Sequence, residues 1–503
     1  MNRSSGLLLS GLLGLTSLVA YALVLLVPEN EQPWLTPLLV GLSVIFAVVW
    51  CMAAADKKAG ERIDPFHPAI LFLVFYLGYF VFSGVLVWRL HDYDSAWVNL
   101  GQQPAFVVNS VFFLGILSVA AFGIGMRAKI AFPVGALRKV FSRKNALRLG
   151  EMRYLVYLFF VVGIGFTTYH LSLFGSFSID IFRYLSPAAQ RDLEINLSQF
   201  FIIFESMLSW AALLAVFRYL QHYVESGRRH GNVMTLLLLA AVVVITYVVS
   251  GKRSAVIPLL LMPLIWHHYL VRSLSVARAG AYLTIGLVVV STLLFVRVVV
   301  PLLLRGLDPT DYLGGGLWDA MVFYFDSGEL STFDMISASL THRDQLLAEM
   351  GGPLWGLLKY SFGTLVALVP RAIWPDKPGY EDPGHIYYQV LIGSNEDVAF
   401  AVTVWGTSFL FFHVAGILFG MFILGWVFRG MYALLQPWKR QPLNVFLYAI
   451  FYWIAFQFLR FGTLGFTLIF FLQTMLVGML AGFFLARRTH RATFPDTGGG
   501  VRV

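Results

Sequence analysis

The chain has 503 residues, of which 58% are hydrophobic and only 13% are charged. This composition excludes an ordinary soluble domain, in which about 25% of residues are charged, and indicates an integral membrane protein. The single cysteine excludes disulfides and cysteine metal sites within one chain. The net charge of +9 is explained by basic loops on one side of a membrane, without a nucleic-acid partner.

Taken in chain order, the apolar runs predict an all-α polytopic fold with about twelve transmembrane helices, since a spanning helix needs about 20 apolar residues. The runs lie at residues 6–27, 35–55, 68–88, 104–124, 154–174, 198–217, 233–250, 255–271, 279–302, 404–428, 443–460 and 464–486. The first run has no clear cleavage site, so we expect it to be a retained span and not a signal peptide.

The positions of lysine and arginine predict the orientation of these spans. With the N-terminus in the cytoplasm, every inside segment is basic and most of the 36 lysines and arginines lie inside. Both termini are then cytoplasmic. The expected organisation is spans one to nine in 1–302, an extracytoplasmic loop in 303–403, spans ten to twelve in 404–486, and a cytoplasmic tail in 487–503. Within the loop, the apolar run 354–369 is expected to lie in the interface or re-enter the membrane without crossing it.

Two ionisable residues fall inside predicted spans, at similar depths below the outer surface. Glu205 lies about 10 Å deep and Arg297 about 8 Å deep, at 1.5 Å per helical residue. A charge inside the bilayer costs about 2.5–3.5 kcal/mol on insertion scales, so it usually has a partner or a water-filled cavity. Glu205 and Arg297 are therefore candidates for a pair, with a structural role and a catalytic role both open.

The predicted outer face has few cations, and they are mostly arginines. Lys252 and Arg253 lie in "SGKRS" (250–254), the short connection between spans seven and eight, where they either anchor two helix ends or bind phosphate. Arg183 lies in an outer loop, and Arg460 ends span eleven. An excess of arginine over lysine suits bidentate binding of phosphate oxygens.

The segment "VPRAIWPDKPGYEDPGH" (369–385) is polar and stiffened by four prolines. It holds the candidate residues Arg371, Trp374, Asp376, Lys377, Glu381 and His385. Stiffness lowers the ordering cost of binding, and tryptophan beside charges suits a sugar phosphate. A stiff loop without a ligand is the alternative interpretation. His413, within span ten, is expected to be a core histidine. The adjacent pair His267 and His268 points to different helix faces, so we expect no metal site there.

With these segments the chain resembles the bacterial oligosaccharide repeat-unit polymerases, the O-antigen polymerase (Wzy-type) family. The resemblance is carried by "VPRAIWPDKP" (369–378), "SGKRS" (250–254), "FHVAGILFGMFILG" (412–425), "DPFHPAILFLVFYLGYF" (64–80), and the arrangement of spans around one large late outer loop. The family's acid near the start of span ten has no counterpart in "AVTVWGTSF", so no role is carried over for it.

The resemblance implies a glycosyltransferase of the bacterial inner membrane that needs neither metal nor cofactor and has its active site facing the periplasm. Its donor and acceptor would be oligosaccharides on undecaprenyl diphosphate, and a chain-length regulator would be a further partner besides membrane lipids. Arginines would stabilise the departing diphosphate. Arg253 and Arg371 are the first candidates, followed by Arg460, Arg297 and Lys377, with Lys252, Arg183 and Trp374 as further substrate contacts. The base that takes the acceptor proton stays open among Asp376, Glu381, His385 and Glu205.

Three other functions stay open at this point. A ligase-type transferase would share the donor and architecture and differ only in its acceptor. A flippase of lipid-linked glycans would predict inverted repeats and helices broken at the midplane of the membrane. A scaffold for an envelope complex would need no active site.

Overall fold

A computed structural model describes fourteen stretches of the chain. They are residues 15–16, 18–22, 25–26, 34–55, 63–89, 105–129, 145–173, 200–227, 232–250, 253–286, 332–367, 374, 383–393 and 401–488.

The described structure is almost entirely helical. In chain order the helices are α1 (Leu35–Ala55), α2 (Pro68–Phe75 with Tyr76–Val81 and Phe82–Arg89), α3 (Ala105–Arg127), α4 (Leu149–Leu173), α5 (Phe200–Ser226), α6 (Asn232–Ser250), α7 (Arg253–Trp266 with His267–Val271), α8 (276–286), α9 (Thr332–Thr341), α10 (Arg343–Glu349), α11 (Pro353–Ala367), α12 (Pro383–Ile392), α13 (Thr403–Leu435), α14 (Pro442–Phe461) and α15 (Leu464–Phe470 with Phe471–Met475 and Leu476–Leu485). Two three-residue strands, β1 (Asn145–Leu147) and β2 (Ala486–Arg488), form one antiparallel ribbon.

Six of the described helices are long and apolar enough to cross a membrane. They are α1, α3, α4 and α14, together with Pro68–Val85 of α2 and the stretch Thr403–Lys439 that contains α13. The prediction of an all-α membrane protein is therefore confirmed. For these helices the predicted and observed bounds differ by a few residues, except in α4 and α13, which extend further at one end.

Small residues allow two of the spans to approach closely. Gly125 of α3 and Gly425 of α13 face each other, because a Cβ added to either would overlap a carbonyl oxygen of the other helix, at Phe422 and Phe122 respectively. Close backbone approach at small residues is a common way to pack helices in a bilayer, where lipid is as apolar as the side chains. The glycines of the "GILFGMFILG" run thus serve helix packing.

Aromatic side chains fill the core between α2, α3 and α13. The Trp405 ring lies within about 6 Å of the rings of Phe72, Phe75 and Phe80. Its indole Nε1 donates a hydrogen bond to Ser118 Oγ at 2.8 Å, which satisfies the one polar atom of a fully buried ring.

The four short helices α9 to α12 build a second hydrophobic core. Met335, Tyr360 and Tyr387 pack there with Leu410 of α13, and the hydroxyls of Ser339 and Tyr387 share a hydrogen bond. Helix α11 has 15 residues, about 22 Å at 1.5 Å per residue, which is shorter than the roughly 30 Å of a hydrocarbon core. Residues 368 and 369 lie outside the described residues, so the expectation that 354–369 does not cross the membrane stays a prediction.

Candidate functional site

The structure describes only part of the predicted site. The side chains of Arg460, His385 and Trp374 are described. Arg253 begins α7 and Glu205 lies in α5, as expected from the sequence, but only their backbones are described. The remaining candidates lie outside the described residues: Arg183, Lys252, Arg297, Arg371, Asp376, Lys377 and Glu381. The predicted pair of Glu205 and Arg297 consequently stays a prediction.

Helix α13, which contains the span predicted for 404–428, is interrupted within that range. Its backbone leaves helical geometry at Phe412 and at His413, where φ is 55° and ψ is −146°. The chain folds back at this break, because a Cβ added to Gly416 would overlap the carbonyl oxygen of Ser408, eight residues earlier. His413 is exposed at the break, so its interpretation as a core histidine was wrong. The break could not be predicted from the sequence, because the residues around His413 are apolar and include no proline.

The first piece of α13, before the break, runs beside α9. Gly406 lies against Met335 and Ser339 of α9. Arg343, just after α9, donates from Nε to the carbonyl oxygen of Leu410 at 2.9 Å. This carbonyl is freed by the break, and Arg343 supplies the hydrogen bond that the helix no longer makes. The first piece of α13 is thereby held against α9 and Arg343, next to the spans.

The start of α13 meets the end of α14 at a tight contact. Gly462 ends α14 with φ at 71°, a conformation that favours glycine. A Cβ there would overlap the carbonyl oxygen of Thr403. Thr403 itself has a positive φ of 59°, which is uncommon for a β-branched residue and costs of order 1–3 kcal/mol. Such strain persists only where the surrounding structure imposes it.

Several buried polar groups around this contact have no partner among the described residues. They are both amide atoms of Gln457, the hydroxyl of Thr403 and the hydroxyl of Thr463. Gln457 and Thr403 are fully buried and Thr463 nearly so. Arg460 lies in the same last turn of α14, half-buried, with its guanidinium carbon 4.9 Å from the centre of the Phe461 ring. We call Thr403, Gln457, Arg460, Gly462 and Thr463 the polar junction.

The polar junction is chemically suited to a polar ligand. Leaving a buried donor or acceptor without a partner costs about 1–3 kcal/mol, so such groups are normally paired with protein or water. A carboxamide and two hydroxyls can both donate and accept hydrogen bonds, and a guanidinium presents a fork of donors that matches phosphate oxygens. Arg460 is the predicted diphosphate-binding residue whose surroundings are described. Those surroundings contain the buried carboxamide and hydroxyl groups that a polar ligand could bind.

The sequence analysis missed a second polar cluster, the Asp64 cluster, at the predicted cytoplasmic end. Asp64 Oδ2 accepts hydrogen bonds from the hydroxyls of Tyr269 at 2.7 Å and Tyr432 at 2.6 Å. Its Oδ1 accepts from the backbone N–H of Phe66 at 3.0 Å and lies 3.3 Å from His268 Nε2. The Tyr448 hydroxyl donates to the Phe66 carbonyl oxygen. One carboxylate thus joins the loop before α2 to α7 and α13.

The protonation of the Asp64 cluster follows from its hydrogen bonds. Nδ1 of His268 accepts the backbone N–H of Leu274 at 2.9 Å, so we assign the ring proton to Nε2, which faces Asp64. Burial alone would raise the pKa of the Asp64 carboxyl. Hydrogen bonds from His268, Tyr432 and Tyr269 outweigh burial and hold that pKa well below its usual range. Asp64 is thus a buried anion with every oxygen occupied, which is typical of a structural role.

The described residues contain no group of three or more histidines, cysteines and acids placed to hold a metal ion. No family model, curated protein or solved structure matches this chain.

Proposed function

We propose that this chain is a glycosyltransferase of the bacterial inner membrane that polymerises oligosaccharide repeat units carried on undecaprenyl diphosphate. The growing glycan would be transferred from its lipid diphosphate to a new lipid-linked repeat unit at the outer leaflet. The basis is the sequence resemblance together with the polar junction.

The observation that carries the proposal is the set of unpaired buried groups beside Arg460. These groups are Gln457, Thr403 and Thr463, and they lie where α14 ends and α13 begins. A protein that needed this contact only for packing would gain stability from apolar side chains there. Several such groups close to a guanidinium in the sequence are suited to a hydrogen-bonding ligand. A lipid diphosphate and a sugar both offer the matching oxygens.

The orientation that the proposal needs comprises twelve spans with 303–403 outside and both termini inside. Contacts between helix ends support it, because they join residues predicted to lie on the same side. Arg429 donates to the Ala128 carbonyl oxygen, and Arg218 Nε donates to the Leu149 carbonyl oxygen at 3.3 Å, all on the predicted inner side. On the predicted outer side, the Phe333 N–H donates to Ser83 Oγ at 3.4 Å.

The proposed reaction is a displacement at the anomeric carbon of the donor. A hydroxyl oxygen of the acceptor sugar forms a bond to that carbon, and the bond from the carbon to the diphosphate oxygen breaks. The hydroxyl proton goes to a base, and the lipid diphosphate leaves with its negative charge stabilised by Arg460 and the other arginines. Among the candidate bases, only His385 has a described side chain, half-buried in α12. Asp376, Glu381 and Glu205 stay open.

The test is deletion of the gene in a bacterium that carries it, followed by gel analysis of the surface glycan and by complementation. A polymerase predicts that the deletion strain shows a single repeat unit in place of a ladder. Loss of all surface glycan would instead indicate a ligase or a flippase, and an unchanged ladder would contradict any role in glycan assembly. Purified protein given labelled lipid-linked repeat units should produce a ladder without nucleotide.

A further inference from the structure

The β1–β2 ribbon gathers basic residues at one end of α4. Asn145 pairs with Arg488 and Ala146 with Arg487 in the ribbon. The backbone N–H of Arg148 donates to the Leu485 carbonyl oxygen at 3.0 Å, which joins the start of α4 to the end of α15. Arg218 of α5 reaches the same point through its bond to Leu149. The backbone of β2 thus lies beside the start of α4, and the side chain of Arg218 reaches the same point, at the predicted cytoplasmic surface.

The charges at this point are only partly neutralised. Arg148 Nη1 donates to both carboxylate oxygens of Glu151, at 2.8 and 3.0 Å. Neither Arg153 nor Arg218 has an ion-pair partner within the part of the chain that the structure describes. Arg153 is exposed, and its guanidinium carbon lies 5.5 Å from the centre of the Tyr157 ring. Two positive charges are thus left over among the described side chains.

An exposed apolar stripe begins directly beside Arg153. Tyr154, Tyr157, Leu158 and Val161 are more than half exposed and occupy positions i, i+3, i+4 and i+7 of α4. This spacing places them on one face of the helix. In a membrane such a face contacts acyl chains, so the arginines lie at the level where lipid headgroups are found.

We propose that Arg153 and Arg218 bind the phosphate of an anionic phospholipid of the cytoplasmic leaflet, and that its acyl chains lie along the Tyr154–Val161 stripe. The excess positive charge selects an anionic lipid, such as phosphatidylglycerol or cardiolipin, over a zwitterionic one. The stripe selects a lipid over free phosphate. This site lies at the opposite end of the spans from the polar junction and does not depend on the glycosyltransferase proposal.

The test uses the full-length protein in neutral detergent, with retained lipid measured by native mass spectrometry and thermal stability measured after addition of lipid. Cardiolipin and phosphatidylglycerol should bind and raise Tm, whereas phosphatidylcholine and glycerol 3-phosphate should not. The double variant Arg153→Gln with Arg218→Gln should bind the anionic lipids more weakly, by roughly fivefold for each arginine. Arg278→Gln, an exposed arginine of α8 at the same predicted face, is the matched control and should bind like the wild type.

The double variant Arg153→Lys with Arg218→Lys keeps the charge and should retain most of the binding, which distinguishes lost lipid contact from a folding defect. Equal binding of phosphatidylcholine and cardiolipin would overturn the proposal. It would also be overturned if the double glutamine variant bound anionic lipid as well as Arg278→Gln does. Glycerol 3-phosphate that stabilised the protein as strongly as cardiolipin would show that the stripe plays no part.

Discussion

At the scale of single residues, the two buried polar clusters have opposite characters. In the Asp64 cluster every carboxylate oxygen accepts hydrogen bonds, and the donors come from tyrosines, a histidine and the backbone. In the polar junction, Gln457, Thr403 and Thr463 keep unpaired atoms among the described residues. A saturated cluster stabilises the fold, while an unsatisfied one is destabilising until something binds. The contrast supports a structural role for Asp64 and a ligand-binding role for Gln457.

For Gln457 we expect that stability and activity change in opposite directions. Gln457→Leu removes two unpaired buried atoms and should raise the unfolding free energy by about 1–2 kcal/mol. The same change should lower glycan extension at least tenfold, because a hydrogen-bonding group is lost from the site. Thermal unfolding in detergent and the length of the glycan ladder are the two measurements. A more stable variant with a normal ladder would remove Gln457 from the site.

Asp64 should behave as a buried structural anion. Asp64→Ala removes the carboxylate that accepts from the hydroxyls of Tyr269 and Tyr432 and should cost about 3 kcal/mol or more. Because the folded pKa of Asp64 is lowered, its contribution is complete above about pH 5 and is lost as the pH falls through and below the ordinary value near 4.

The measurement is the difference in Tm between the wild type and Asp64→Asn from pH 7 to pH 3, which should shrink towards the acid end. Asp344→Asn, at an almost fully exposed carboxylate, is the control and should change stability little at any pH. A difference that stays constant from pH 7 to pH 3 would show that the Asp64 carboxylate has no lowered pKa.

At the scale of elements, α13 is the helix that brings the polar junction into place. Its first piece begins at Thr403 against Gly462 and ends at the break, and its second piece crosses beside α3. In an uninterrupted helix, Thr403 would lie further along the helix axis, away from Gly462 at the end of α14. The polar junction would then not form. The strained backbone of His413 is therefore a condition for the candidate site.

The break predicts an unusual order of substitution effects. Glycine tolerates φ of 55° with ψ of −146°, so His413→Gly should leave stability unchanged or raise it by about 1 kcal/mol. Gly416→Ala should destabilise the protein strongly, because its Cβ would overlap the backbone of Ser408. Gly41→Ala in α1, where a Cβ meets nothing within 4 Å, is the control. If Gly416→Ala and Gly41→Ala unfolded at the same temperature, the two pieces of α13 would not fold back on each other.

At the scale of the whole molecule, the positions of the six described spanning helices could be predicted from the sequence, whereas the contacts between distant residues could not. Long apolar runs fix where helices lie, because few other structures can bury their backbone in a membrane. The Asp64 cluster could not be predicted, since its partners lie 205 and 368 residues away and the tyrosines resemble ordinary span residues. The aspartate just before α2 was the available signal. Arg460 was chosen as a candidate because a cation at the predicted outer end of a span is rare in this chain, and its role stays a prediction.

The predicted orientation can be tested at exposed positions. Asp344→Cys and Arg278→Cys, each in a Cys51→Ala background, are treated in intact cells with an impermeant thiol reagent. Position 344 lies in the predicted extracytoplasmic loop and should react, while position 278 should react only after permeabilisation. The native Cys51 is buried, so its removal should not disturb labelling. Reaction at 278 and not at 344 would reverse the proposed placement of the active site.

The distances in sequence within the Asp64 cluster have a consequence for biogenesis. The hydroxyl of Tyr432 is synthesised 368 residues after the carboxylate that it binds, which takes roughly 20–70 s at 5–20 residues per second. Until then the Asp64 cluster is incomplete, because only Phe66, His268 and Tyr269 can supply donors to the carboxylate. We therefore expect the nascent chain to stay associated with the insertion machinery until α13 and α14 emerge, and ribosome-bound chains that end before Tyr432 to be sensitive to protease near Asp64.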